Sequence, residues 1–203
     1  MTMIQASNPF FEKYSTPYGT VPFNLIKTED YVPAVRESIR RQNAEIDAII
    51  RNPEVPTFAN TVLAYEKSGE MLHRVGTVFG NLLSAETSDE LQELAREIMP
   101  LMSEHENNIS LNEKLFARIK AVYELTDKNK LTPEQSKLLE DIYTGFVRNG
   151  ANLQGDAKEK YRSLCKELSL LTLQFSENAL KETNDYQLAL TDKLQLSGLP
   201  ESA

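Results

Sequence analysis

The sequence contains a single cysteine among its 203 residues. One cysteine excludes an intrachain disulfide framework and any metal site built from several thiolates. Cys165 lies within a helical pattern of apolar residues, where an unpaired cysteine usually acts as a small hydrophobic side chain. We therefore expect Cys165 to be buried.

Long apolar runs and basic clusters are also missing. No uninterrupted apolar stretch approaches the ~20 residues of a membrane-spanning helix. Nucleic-acid binding needs clustered Lys and Arg, whereas this chain has a net charge of −8. The stretch 1–11 has no basic region followed by an apolar core, as a signal peptide would. We expect a cytoplasmic protein with neither a membrane nor a nucleic acid as a partner.

Apolar residues at three- and four-residue spacing dominate the rest of the chain, which is typical of amphipathic helices. The pattern predicts an all-α fold, an antiparallel bundle of about six helices joined by short loops. Residues 28–184 form this predicted bundle. We expect its helices at about 31–51, capped by Asp30, then 57–83, 87–109, 110–123, 132–148 and 156–181. The third is predicted to start with a Thr87–Glu90 capping box and the fourth with one at Ser110 and Glu113.

Glycine and proline mark further features of these helices. Gly69, Gly76 and Gly80 fall inside the second predicted helix, where each costs ~1 kcal/mol relative to alanine. They indicate a close helix crossing or a kink, and Gly76 and Gly80 share a face that could admit a neighbouring backbone. Pro100 is expected to bend or break the third helix near residue 99. Thr132, Pro133 and Gln135 give the clearest helix start.

The two ends of the sequence lack a helical pattern. Residues 1–27 are predicted to form an extended arm, rich in proline and aromatic residues, that packs its rings against this domain or another. Residues 185–203 contain one alternating segment, Tyr186 to Leu190, predicted as a strand with no partner in the chain. Pro200 and Glu201 resemble the first turn of another helix. We expect that the natural chain continues beyond residue 203.

No complete catalytic constellation is visible. His105 begins the segment His-Glu-Asn-Asn-Ile, which approaches the zinc-protease motif, but Ile109 stands where the second histidine ligand is required. The only other histidine is His73, and we expect His105 to be a helix-surface or groove residue. The paired carboxylates, such as Glu66 and Glu70, are predicted to lie on solvated faces or near helix starts. No phosphate-binding loop or Ser-His-Asp order is present, so we assign no catalytic or metal residue to this chain.

A series of short motifs nevertheless resembles a known family. In order, they are Asn8-Pro9-Phe10-Phe11, Pro22-Phe23, Glu29-Asp30-Tyr31-Val32-Pro33-Ala34, Ala44-Glu45-Ile46-Asp47-Ala48-Ile49, Pro56-Thr57-Phe58-Ala59-Asn60-Thr61, Glu66-Lys67-Ser68-Gly69, Leu72-His73-Arg74-Val75, Thr87-Ser88-Asp89-Glu90-Leu91, Leu111-Asn112, Leu115-Phe116, Phe146-Val147-Arg148 and Leu196-Ser197-Gly198-Leu199-Pro200-Glu201. This series is similar to the N-terminal part of the peptidyl-dipeptidases (dipeptidyl carboxypeptidases), in the zinc metallopeptidase family of oligopeptidase A and thimet oligopeptidase. It covers essentially the whole chain.

The resemblance implies a longer, mostly helical parent enzyme with a deep substrate channel. Its His-Glu-x-x-His helix, third zinc ligand and transition-state residues would lie in a C-terminal catalytic domain absent from this sequence. The parent would bind one zinc ion, whose activated water hydrolyses peptide bonds, and would act on short peptides. This chain would be the non-catalytic N-terminal domain, inactive alone, and form part of the channel wall.

Such a domain would expose a large apolar patch where the catalytic domain docks. The expected contact residues are Phe10, Phe11, Phe23, Tyr186, Leu188 and Leu190. A different interpretation remains open, in which the chain is a free-standing helical module that binds a peptide or a protein in a groove.

Overall fold

A computed structural model of the protein describes residues 8–200, and the expected helix start at Glu201 lies outside them. The described chain is all-α, as predicted, and has six helices of 13 residues or more. The helices are α1 (Thr28–Arg51), α2 (Ala64–Glu66, continuing the π-helical segment Phe58–Leu63), α3 (Glu70–Ala85), α4 (Asp89–Ser110), α5 (Glu113–Leu125), α6 (Pro133–Arg148) and α7 (Asp156–Asp185). Single 3₁₀ turns lie at Pro9–Phe11, Pro17–Gly19, Lys128–Lys130 and Lys193–Leu196.

Side-chain caps start several of these helices. The predicted α6 start is confirmed, because Thr132 Oγ1 accepts a hydrogen bond from the Gln135 N–H and the Gln135 side chain accepts one from the Thr132 N–H. Three other predicted caps were wrong. Ser88 rather than Thr87 caps α4, Asn112 rather than Ser110 caps α5, and Asp30 lies in the first turn of α1, where its carboxylate accepts from the Lys27 N–H. Ser88 and Asn112 each have a side-chain oxygen that accepts from an otherwise unpaired N–H of the first turn, whereas Lys27, which precedes α1, makes no side-chain cap hydrogen bond.

The predicted second helix is divided at Gly69. Its backbone has φ +75°, a left-handed conformation that glycine adopts without steric cost. The Gly69 N–H donates to Glu45 Oε2 at 2.8 Å, and a Cβ at Gly69 would lie 2.3 Å from the side chain of Gln42. Two side chains of α1 therefore hold the break between α2 and α3.

Pro100 was predicted to bend or break the third helix, and the break does not occur. Helix α4 runs continuously from Asp89 to Ser110. Proline removes one backbone hydrogen bond, but Ile98 and Ile109 on either side of it are buried in the core. Burying such side chains contributes about 1.5–3 kcal/mol each, which favours a continuous helix over a free end.

The core consists of two apolar clusters. The first, which we call the N-cluster, includes Phe10, Tyr31, Val35, Leu72, Val75, Phe79, Ala95 and Ile98. The second, the C-cluster, includes Ile46, Ile49, Val62, Ile109, Leu115, Phe116, Ile119, Leu139, Ile142 and Phe146. Helices α1 and α4 contribute to both clusters. The middle of each helix therefore lies where the two clusters meet.

The N-terminal arm packs against the domain itself. Phe10 is fully buried, and its ring lies 5.2 Å from that of Tyr31. The Arg74 guanidinium donates to the Phe10 carbonyl at 2.9 Å and stacks over the Tyr14 ring at 5.1 Å. Burial raises the pKa of Tyr31 to about 12. The Phe10 ring and the Arg74 guanidinium thus anchor the arm, together with the Asn8 side-chain amide, which donates to the Asp30 carbonyl at 2.7 Å.

The predicted C-terminal strand is absent from the described chain. Residues 186–192 follow α7 without strand pairing. A strand needs a neighbour to satisfy its backbone N–H and C=O groups, and no second extended segment lies beside this one in residues 8–200. The alternating apolar residues of the segment are exposed instead.

Helix α7 departs furthest from the sequence prediction. Cys165 was expected to be buried, yet none of the 30 residues of this helix is buried. Leu164, Leu168, Leu171 and Phe175 are between 53% and 75% exposed. The helix packs on α4, where Leu173 contacts the N-cluster. Cys165 is only partly buried, because it lies on the side of α7 that borders α4 rather than in a core.

Candidate functional site

A cavity of about 680 Å³ opens between the α2–α3 junction, α4 and α6. We call it the His105 cavity. Its apolar wall is made by Leu72, Met102, Ile109, Leu138, Ile142 and Phe146. Its polar lining includes Gln42, Tyr65, Glu66, Ser68, His73, His105, Glu106, Ser110, Asp141 and Asn149. A concave site with apolar walls and a few polar groups is typical of small-ligand binding.

His105 is the most deeply buried polar residue that lines this cavity. Its side chain is 4% exposed, and Nε2 lies 2.8 Å from Gln42 Oε1. Nδ1 has no hydrogen-bond partner among the described residues. Burial lowers the pKa of His105, which favours the neutral form of the ring. The expected helix-surface position is therefore wrong, whereas the expected place in a groove is correct.

Gln42 is oriented by a short chain of hydrogen bonds. Its Nε2 lies 3.5 Å from Ser68 Oγ, and the Ser68 hydroxyl donates to the Tyr65 carbonyl at 2.7 Å. The Ser68 oxygen can therefore accept a hydrogen bond from Nε2 of Gln42. This orients Oε1 of Gln42 towards His105. In this arrangement Nε2 of His105 carries the hydrogen, and Nδ1 keeps a free lone pair.

Three carboxylates from three helices surround the opening. Glu66, Glu106 and Asp141 belong to α2, α4 and α6, and all three are exposed. Asp141 pairs with Lys137 on its own helix. The pKa of Tyr65 is raised first by burial and then by the negative charges of Glu106 and Glu66. The phenol thus lies within the field of both carboxylates.

Two glycines shape the wall of the cavity. A Cβ added at Gly76 would lie 2.9 Å from Met102 Cε, while one added at Gly145 would meet no atom within 4 Å. Gly76 therefore accommodates a flexible side chain rather than the neighbouring backbone that was predicted. Gly145 leaves open space in the cavity. The third helical glycine, Gly80, also faces open space, but in the neighbouring groove.

That second site, which we call the α7 groove, has a volume of about 670 Å³ and lies between α3, α4 and α7. Its apolar residues are Leu83, Met99, Met102, Cys165, Leu168, Leu173 and Leu180. Met102, Glu106, Ser110 and Asn149 line both sites. The two form neighbouring hollows along α4.

Zinc, which the family resemblance implies, does not fit the residues of either hollow. Within residues 8–200, no group of three or more His, Cys, Asp or Glu side chains is placed to hold a metal ion. Ile109, in the position of the second motif histidine, is 7% exposed and packs in the C-cluster. His73 lies on a different helix from His105. We derive no metal-dependent step from this chain.

The predicted contact residues are distributed over both ends of the described chain. Phe10 is buried within the N-cluster, so it presents no surface to another body. Phe11 is exposed beneath the Arg41 guanidinium, and Phe23 is exposed nearby in sequence. Tyr186, Leu188 and Leu190 are exposed after α7. The structure adds the exposed apolar residues of α7, which include Leu164, Leu171 and Phe175.

The sequence interpretation missed the His105 cavity. Gln42 and His105 are 63 residues apart, and no local pattern relates them. The only available signals were the unusual glycines, Gly69 and Gly76, and an isolated histidine on an apolar helix. These residues indicate that the local packing is unusually tight or open, but they do not identify the residue that packs against them.

Comparison with known proteins identifies relatives along nearly the whole chain. It is 39% identical over 194 residues to dipeptidyl carboxypeptidase from Escherichia coli K12, covering 96% of this chain and 28% of that protein. It is 26% identical over 197 residues to oligopeptidase A from Salmonella typhimurium, covering 97% and 28%. A probable cytosolic oligopeptidase A from Arabidopsis thaliana is 26% identical over 198 residues, covering 98% and 28%.

These relatives confirm the resemblance that the motif series predicted. The chain spans a little over a quarter of their length. No protein-family model matches the chain. Within residues 8–200, no helix is long and apolar enough to cross a membrane.

Proposed function

Since curated homologues over most of this chain are dipeptidyl carboxypeptidase and oligopeptidase A, we propose that it is the non-catalytic N-terminal helical domain of a zinc-dependent oligopeptidase. In this role the domain forms part of the wall of a channel that admits short peptides. The observation that carries the proposal is the coverage: 96% of this chain matches a protein of which it spans 28%.

The exposed apolar residues of α7 support the proposal that a second domain packs against this one. A 30-residue helix with no buried residue is unusual, because apolar side chains at helical spacing gain free energy only when they are covered. Leu164, Leu171 and Phe175 form one exposed stripe. We propose that this stripe, together with Phe11, Phe23, Tyr186, Leu188 and Leu190, contacts the catalytic domain.

The proposed roles of the two domains follow from the zinc-binding residues that the described chain does not bring together. The described residues offer no zinc-binding set, so the zinc ion and the groups that act on the scissile bond belong to the proposed catalytic domain. This chain contributes shape, charge and hydrogen-bonding groups along α4. We place the protein in the cytoplasm, in line with the cytosolic name of the Arabidopsis relative.

A free-standing peptide- or protein-binding module is the second candidate function. The observation that favours it is that several helices of this chain form two hollows of about 680 and 670 Å³, each large enough for a ligand. A module of this kind would bind a ligand and perform no hydrolysis.

The coding sequence around these 203 residues tests which of the two proposed functions is correct. We expect it to encode a His-Glu-x-x-His segment downstream, and the whole product to bind one zinc ion and release dipeptides from the C-terminus of short peptides. The 203-residue chain alone should hydrolyse none of them. A coding sequence without that segment, or hydrolysis by the chain alone, would contradict the proposal.

A paired substitution tests the channel-domain role within the whole product. Leu171→Gln with Phe175→Gln should lower peptidase activity or weaken the association between the two parts. The matched control is Leu125→Gln, at an apolar residue that is also exposed but lies at the end of α5. Equal activity of the paired variant and the control would exclude the α7 stripe as the contact surface.

A further inference from the structure

The His105 cavity combines three features that nothing in the proposed channel wall requires. It has negative charge at its opening, apolar walls, and a buried hydrogen-bond acceptor without a partner. We propose that this cavity binds the arginine side chain of a short peptide. The inference rests on the proposed function in taking a peptide as the source of the arginine.

The free acceptor sets the chemistry of the ligand. Ser68 orients the Gln42 amide, Gln42 takes the hydrogen on Nε2 of His105, and Nδ1 is left with a lone pair. A buried polar atom without a hydrogen bond costs about 1–3 kcal/mol relative to one that has a partner. Nδ1 is buried in the wall of the cavity, where its lone pair favours a nearby N–H donor or positive charge, whereas a carboxylate or phosphate brings only acceptors.

The charge around the opening favours a cation. Glu66 and Glu106 have no ion-pair partner within 4 Å in the described chain, and Lys137 offsets only the charge of Asp141. Burial is the main cause of the raised pKa of Tyr65, and the negative charges of Glu106 and Glu66 raise this pKa further. An anion would meet this field unfavourably, and a neutral apolar group would leave both the charges and Nδ1 without partners.

Arginine fits this arrangement better than a compact cation. Its guanidinium has five N–H donors in a planar fork and is weakly hydrated. A donor can pair with a carboxylate at the opening, and the positive charge is favourable near the lone pair of Nδ1. Its aliphatic stem can lie against Leu72, Ile142 and Phe146, since long cationic side chains pack their methylene groups on apolar surface. The cavity volume of about 680 Å³ is within the usual range of roughly 300–1,000 Å³ for ligand pockets.

The chain offers a variant that closes the cavity without disturbing the core. Gly145→Leu places a side chain in open space on α6, where an added Cβ meets nothing within 4 Å. Gly80→Leu is the matched control, because Gly80 is also a helical glycine with open space but lines only the α7 groove. Both changes replace glycine by a stronger helix former.

The experiment measures binding of two capped tripeptides to the 203-residue chain by NMR titration. One is acetyl-Ala-Arg-Ala-amide, and the other has citrulline in place of arginine, which keeps the shape and removes the charge. We expect the arginine peptide to shift the resonances of Gly76, Gly145 and His105 in a saturable manner. The citrulline peptide and the Gly145→Leu variant should each weaken binding at least tenfold, whereas Gly80→Leu should bind as the unchanged chain does.

Charge removal gives an independent readout. Glu66→Gln should weaken binding of the arginine peptide by about twofold to fivefold, the usual range for an exposed ion pair, and Glu90→Gln, at an exposed acid of α4 outside the cavity, should not. Absence of saturable binding, equal affinity for the citrulline peptide, or full binding by Gly145→Leu would overturn the proposal. If the chain does not bind the arginine peptide but the whole product is an active peptidase, only the arginine site is wrong. If the chain binds the peptide but no zinc motif is encoded downstream, the proposed function is wrong.

Discussion

The imidazole Nε2 of His105 lies 2.8 Å from Oε1 of Gln42 and joins α4 to α1 at the level where the two core clusters meet. Gln42 lies between Ile39 of the N-cluster side and Ile46 of the C-cluster, and His105 lies between Met102 and Ile109 in the same way. Apolar packing is interrupted there on both helices. The polar pair therefore connects the two halves of the core beside the cavity.

Removing the acceptor should destabilise the fold. We expect Gln42→Leu to lower the free energy of unfolding by about 1–3 kcal/mol, because both nitrogens of a buried imidazole would then lack partners. Urea unfolding followed by circular dichroism measures the change. Asn43→Ala, at the exposed neighbour on α1, should stay within about 0.5 kcal/mol of the unchanged protein. Equal effects of the two substitutions would show that the hydrogen bond contributes no net stability.

Acid should destabilise the protein through His105. Burial lowers the pKa of this ring in the folded state below the reference value of 6.5, so the unfolded chain binds a proton first as the pH falls. The free energy of unfolding is therefore greatest above about pH 6.5 and declines as the pH falls towards the folded pKa. Urea unfolding between pH 7.5 and 5 measures this slope.

A His105→Gln variant should flatten this pH dependence, since the amide does not titrate. His73→Gln, at an exposed position, controls for the loss of one histidine and should keep the slope. An unchanged slope in His105→Gln would assign the effect to other groups.

The glycines should respond differently to alanine. Gly69→Ala should be destabilising by at least about 1–2 kcal/mol from the left-handed backbone alone, and the added Cβ would also meet the Gln42 side chain at 2.3 Å. Gly145→Ala should instead stabilise α6 by about 0.5–1 kcal/mol, because it meets open space in a helix interior. Thermal unfolding of both variants measures the contrast. A stabilising Gly69→Ala would contradict the described break between α2 and α3.

The arm should depend on Arg74. Arg74→Met removes the hydrogen bond to the Phe10 carbonyl and the stacking on Tyr14, and a hydrogen bond to a charged group is worth about 1.5–3 kcal/mol. We expect faster amide hydrogen exchange in residues 8–27 with the exchange of α5 and α6 unchanged. Lys13→Met, at an exposed residue of the same arm, should leave arm exchange as it is. Equal arm exchange in Arg74→Met and the control would show that the Arg74 contacts do not hold the arm.

Exposed apolar residues of α7 should be replaceable without cost to this chain. Phe175 is 75% exposed, whereas Phe79 is 1% exposed in the N-cluster. We expect Phe175→Ala to change the free energy of unfolding by less than about 0.5 kcal/mol and Phe79→Ala to lower it by about 3–5 kcal/mol. Chemical unfolding compares the two. A comparable loss at Phe175 would mean that α7 is covered within the domain.

Local patterns predicted the helices well where local chemistry determines them. The α6 start was predictable because Thr132, Pro133 and Gln135 satisfy the first-turn N–H groups by themselves. The break at Gly69 was not, because the apolar spacing continues across it and the stabilising side chains, Gln42 and Glu45, come from another helix. The motif series gave the family because identity over the whole chain does not depend on where side chains point.

Burial and the site could not be obtained in the same way. The stripe on α7 was correctly identified as apolar, but periodicity gives a face and not the partner that covers it. For Pro100, the local rule was outweighed by the core on both sides. The His105 cavity depends on four segments that meet only after folding, so no spacing within one helix could reveal it.

The division of the core into two clusters has a mechanical consequence. Each close-packed apolar cluster resists deformation. The region between the clusters, where the Gln42–His105 hydrogen bond lies beside a cavity, is easier to deform. Bending α1 and α4 at Gln42 and His105 would tilt one cluster against the other without unpacking either. The angle between the two clusters would then determine the width of the His105 cavity. A ligand in the cavity would restrict this motion, and an empty cavity would allow it.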